Sequence, residues 1–81
     1  MRMRWAEIAS DWCMWSERIH HRFPHLDSEQ MNLLYRDRKS FEAHLAATHN
    51  LSLIEAREEI DDFLYVETLA RELSGISSRM Q

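Results

Sequence analysis

The chain holds one glycine, one proline and one cysteine in 81 residues. So few breakers exclude a turn-rich β fold and favour long helices. The lone Cys13 excludes an internal disulfide, so nothing calls for an oxidising compartment. No run of about 18 apolar residues occurs, so no helical membrane span is expected. The opening MRMRWAEIAS is basic but lacks an apolar segment, and does not read as a secretory signal. The expectation is a cytoplasmic protein. Excess positive charge is also missing. A formal net charge of −4 argues against nucleic acid as the main partner.

What remains is an ordinary globular composition, with an apolar fraction of 44% and a charged fraction of 30%. That suits one domain spanning residues 1–81 around a single core. The charge is uneven. Arg2, Arg4, Arg18 and Arg22 outnumber Glu7, Asp11 and Glu17 near the start. Glu55, Glu58, Glu59, Asp61, Asp62, Glu67 and Glu72 outnumber Arg57 and Arg71 later on. Attraction between the two regions across a bundle is the simpler reading. A basic face for an anionic partner is the sharper one.

Three helical segments follow from periodicity. Trp5, Ile8, Trp12, Trp15 and Ile19 recur at spacings of three and four, which is one helix face. Pro24 stops that helix, because it disfavours the α conformation at Phe23 and lacks a backbone N–H. Asp27 or Ser28 caps the second segment, with Leu26 and Met31 placed as a hydrophobic staple. Its stripe continues through Leu34, Arg38, Phe41 and Leu45. Asn50 tolerates the left-handed conformation that closes a helix. The third segment opens on Ser52-Leu53-Ile54-Glu55, the form of a capping box. Ala56, Ile60, Phe63, Leu64, Val66 and Ala70 then supply an apolar face.

The acids after Ile54 raise the question of a metal cage or a catalytic pair. Glu55, Glu58 and Glu59 lie where the helix dipole favours negative charge. The acids also point in several directions from one helix, whereas carboxylate metal sites need convergent oxygens. They read as helix-starting and solvating residues. His20, His21 and His25 with Cys13 lack the paired spacing of a zinc site, and His44 and His49 diverge on a helix. No metal and no cofactor is expected, and no enzymatic constellation is recognisable.

Two features are sharper. Arg38 occupies a stripe position where Leu is expected, and a buried guanidinium needs a partner. If the second and third segments run antiparallel, Asp61 or Asp62 supplies it. The alternative is an aliphatic stem that packs while the head reaches water. Trp5, Trp12 and Trp15 share one stripe. Core packing explains them, with Trp5 left partly exposed near the chain end. An interaction face for a homodimer or another protein partner, including Trp5 or Trp12, is the alternative.

From Trp12 to Phe63 the chain resembles the CsbD-like family of small bacterial stress-response proteins. The likeness rests on Trp12 and Trp15, then FPHLDSEQM, LYRDRKSFEAHLA, HNLSLIEA and IDDF, in an ungapped register. Trp12, Leu26, Arg38, Ser52, Glu55, Ala56, Ile60, Asp61 and Asp62 match the pattern in residue type. The family glycines are absent, their places taken by Glu17, Pro24, Arg36, Ala43 and Asn50. The resemblance implies a small, abundant, soluble helical protein made under general stress, and it brings no catalytic residue. The resulting expectation is an all-α three-helix bundle with helices at about 4–21, 28–48 and 53–73 and a frayed tail at 75–81. The second helix either runs straight or breaks near Arg36 and Asp37, with the break favoured.

Overall fold

The computed structural model describes residues 3–80, with side chains described through residue 73. It is all-helical. Among the described residues there are five helices: α1 (Trp5–Ser10), α2 (Trp12–Arg22), α3 (Ser28–Leu34), α4 (Arg38–His49) and α5 (Leu53–Met80).

The count differs from three because two of the expected helices are broken. The first breaks at Asp11, whose backbone (φ −132°, ψ 50°) leaves the helical region. Asp11 closes α1 by donating its N–H to the Ile8 carbonyl, and its own carbonyl receives the N–H groups of Met14 and Trp15. Ser10 and Asp11 are weak helix-interior residues, which makes this the cheapest place to bend. The second breaks between Tyr35 and Asp37, where the favoured reading put it. Asp37 has extended backbone and starts α4 by accepting the Phe41 N–H. Its carboxylate accepts the Ser40 hydroxyl at 2.7 Å, which holds its pKa below the usual value.

The helix ends follow local chemistry. Phe23, ahead of Pro24, takes a non-helical conformation and α2 stops at Arg22. The Asp27 carboxylate caps α3 by accepting the Gln30 N–H at 3.3 Å. Asn50 adopts the left-handed conformation (φ 54°, ψ 48°), and the Leu51 N–H reaches back to the Ala46 carbonyl at 2.9 Å. That six-residue closure is a Schellman bond. Ser52 and Glu55 form a reciprocal capping box at 2.8 and 3.1 Å. The last helix does not close at Leu73 and Gly75. It continues to Met80, since one glycine costs a helix interior only about 1 kcal/mol relative to Ala. Of the expected tail, Gln81 lies outside the described residues.

α4 and α5 form a hairpin around Asn50–Ser52. α2 runs back along α5, and the segment that leads into α1 meets the same helix, as their pairings show. Met3 donates its backbone N–H to Thr68 Oγ1, Arg18 meets Glu67 and Arg22 meets Glu59. Ile8, Ile19, Phe41, Leu45, Ile60 and Leu64 are the fully buried centre. Each such side chain contributes about 1.5–3 kcal/mol of apolar burial.

Candidate functional site

Arg38 opens α4 with a half-buried side chain. Its Nε donates to Glu42 Oε2 and its Nη2 to Asp61 Oδ1, both at 2.7 Å. Asp61 is thus the carboxylate across the hairpin, and Asp62 is not. Asp62 lies exposed on a groove between α2 and α5 that Arg22, Phe63 and Val66 also line. Glu42 was not anticipated. It is buried, and the signal for it was the four-residue spacing from Arg38, which makes the two neighbours on one helix face. Burial works to lower the Arg38 pKa, but the hydrogen bonds and charges of Asp61 and Glu42 outweigh it and raise the value. The guanidinium therefore stays charged, and its fork joins α4 to α5. Both carboxylates lie on protein donors, so this is a structural clamp rather than an open ligand site.

A second clamp was also missed. Glu67 is buried on α5, and both of its oxygens accept from Arg18 Nη2, at 2.7 and 2.8 Å. The Arg18 guanidinium lies 5.7 Å from the centre of the Trp15 ring and remains half in solvent. The signal was a glutamate among Phe63, Leu64 and Thr68, where the apolar face of α5 had no polar residue to spare.

The tryptophans do not form an exposed face. Trp5 is buried against Phe41 at 4.9 Å, and its indole N–H donates to the Tyr35 carbonyl at 2.7 Å. Trp15 is buried edge-to-face with Phe63. Trp12 is half-buried, stacked on Tyr35 at 4.6 Å with its N–H on Asn32 Oδ1 at 2.7 Å. The expectation of a partly exposed Trp5 is corrected. The bend at Asp11 turns α1 over the α3–α4 corner, and that corner covers the ring.

The acid stretch behaves as a helix start. Hydrogen bonds from the Ser52 backbone and side chain hold the Glu55 carboxyl below its usual pKa. No group of three or more His, Cys, Asp or Glu residues with metal-binding geometry occurs among the described residues. Cys13 is exposed and free.

Apolar side chains do reach solvent elsewhere. Val66, Leu69 and Leu73 are exposed along one edge of α5, at spacings of three and four. Among the described residues, no helix is long and apolar enough to cross a membrane. No family model, curated protein or solved structure matches the chain.

Proposed function

We propose that this protein is a small, soluble, non-enzymatic interaction module that pairs with a second copy of itself through the exposed edge of α5. The observation that carries the reading is the run Val66, Leu69, Leu73, which is exposed among the described residues. Scattered exposed apolar residues need no explanation, but a run at coiled-coil spacing does. In the sequence Ile76 and Met80 continue the same spacing. A second copy suits this edge because its charges are self-complementary. When two such stretches pack antiparallel with Leu73 layered against position 76 of the other copy, Glu72 and position 79 of the other copy, an arginine, flank the same side of the seam, and the reverse. That arrangement matches charge on one flank of the seam.

The seam covers about two heptads, short of the three or four that sustain an independent coiled coil. The dimer is therefore weak and dependent on concentration. Sedimentation velocity on the full chain, from micromolar to millimolar, tests it. The mean mass rises toward twice the monomer, and Leu69→Glu with Leu73→Glu holds it at one monomer. A monomer at every concentration sinks the proposal.

A second reading is the stress-response type implied by the CsbD-like resemblance, in the cytoplasm. It is favoured by the work that matching residues do. Arg38 and Asp61, from separate stretches of the pattern, pair with each other, and Ser52 with Glu55 builds a cap. Quantitative mass spectrometry of cells before and after osmotic, heat and stationary-phase challenge checks this reading. A severalfold rise supports it; a flat, low level removes it.

A further inference from the structure

A group of histidines away from α5 has no part in the clamps or the dimer edge. The corner between α2 and α3, residues 23–27, lies against the C-terminal half of α4. Two of its backbone N–H groups point at imidazole nitrogens. Asp27 N–H donates to His44 Nε2 at 3.1 Å, and His25 N–H donates to His49 Nε2 at a longer 3.4 Å. A backbone amide can only donate, so each Nε2 must be the unprotonated nitrogen. At His49 the other nitrogen then carries the hydrogen. Nδ1 lies 2.9 Å from Thr48 Oγ1, whose own hydroxyl donates to the His44 carbonyl at 3.0 Å. The rings of His25 and His49 are 5.2 Å apart, and Phe23 meets His49 edge-on.

We propose that His44 and His49 form an acid-released latch that holds the α2–α3 corner onto α4. Protonation of either ring places an N–H against a backbone N–H, so the hydrogen bond is lost and the corner has no acceptor there. The surrounding charges act in the same direction. Arg22 faces the group from α2, His25 from the corner and His44 from α4, while His20 of α2 holds the Leu26 carbonyl of the same corner at 3.1 Å through Nε2, a bond that protonation keeps. The nearby acids are already engaged, Glu59 of α5 on Arg22 and Asp27 on the Gln30 N–H. Burial and these positive neighbours hold the His49 pKa below its ordinary value of 6.5. The sign follows. Unfolded His49 takes up its proton first as pH falls below that value. Its contribution to stability is therefore present at neutral pH and is lost as pH falls through the folded-state pKa.

The test is NMR on the full chain at a concentration where it is monomeric, so that failure of the dimer reading does not bear on it. At pH 8, the imidazole ¹⁵N shifts of His44 and His49 report the Nδ1–H tautomer. Amide-exchange protection at His25 and Asp27 falls by about tenfold between pH 7.5 and 5, roughly the worth of one net hydrogen bond. Protection at Ile60 is retained over the same range. His44→Gln with His49→Gln keeps an acceptor near each Nε2 without a titrating group, and its corner protection stays constant. Nε2–H tautomers at pH 8 overturn the proposal even if that variant fails to fold. So does corner protection independent of pH, or a simultaneous loss at Ile60, which would mean global unfolding.

Discussion

The two halves of α5 have similar helical propensity and opposite surroundings. From Ala56 to Thr68 the helix is held on three sides. Ala56, Ile60, Phe63 and Leu64 are buried, and Asp61, Glu67 and Thr68 are bonded to α4, α2 and the N-terminal segment. From Leu69 onward the described contacts thin to the long Arg71–Glu7 pair at 3.7 Å, and Leu69 and Leu73 face solvent. A helix of 28 residues is about 42 Å long, close to the 44 Å long axis of the molecule, while the other axes are 24 and 20 Å. The comparison teaches that α5 is both core and projection. One half gains its stability from tertiary burial. The other has an apolar edge that is exposed among the described residues.

Mutations at matched positions sharpen that contrast. The largest effect belongs to the core half. Ile60→Ala removes a fully buried side chain and should cost about 2–5 kcal/mol in urea denaturation. A loss below about 1 kcal/mol would break the division between the halves. Next comes the Arg38 clamp. Arg38→Ala strands buried Glu42 and should cost about 1–3 kcal/mol, the range for a lost charged hydrogen bond at a partly exposed site. Arg38→Lys should recover only part of this, because an ammonium cannot fork to Glu42 and Asp61 in the same geometry. Replacing Arg38 and Glu42 together by Met should restore most of it, since no charge is then left buried.

A smaller effect is expected at the start of the helix. Ser52→Ala should cost about 1 kcal/mol by removing the cap on the Glu55 N–H. It should also make the acid limb of the stability profile somewhat shallower, since the side-chain bond to Glu55 is lost while the larger cause of its shift, the Ser52 backbone N–H, remains. The Glu55 carboxyl is depressed from 4.5, so its contribution is present above that pH and is lost as pH falls through the lower, folded-state pKa. Thermal melts of both proteins from pH 6 to 3 check the difference. The smallest effect on monomer stability belongs to the projecting half. Leu73→Ala should stay within about 0.5 kcal/mol in dilute urea titrations, as exposed positions do. A large loss there would mean that the edge is already covered within one chain.

The helical class and most helix ends were legible in the residues themselves. Pro24, Asp27, Asn50, Ser52 and Glu55 each act on backbone groups within about four residues. A one-dimensional reading captures such interactions because they do not depend on the rest of the fold. The bend at Ser10–Asp11 had a weaker local signal, and the unbroken Trp stripe concealed it. What the sequence alone determined is therefore the helical class and most of the caps, while it left Arg38 open between a carboxylate partner and a head in water. Only the tertiary structure decided that Asp61 serves and Asp62 does not, that Glu42 and Glu67 are buried, that Trp5 is covered and that His44 and His49 receive backbone donors. One residue along a helix turns a side chain by about 100°. Which neighbour faces inward thus depends on how the rods bend and cross, and that is set by packing between segments up to 65 residues apart.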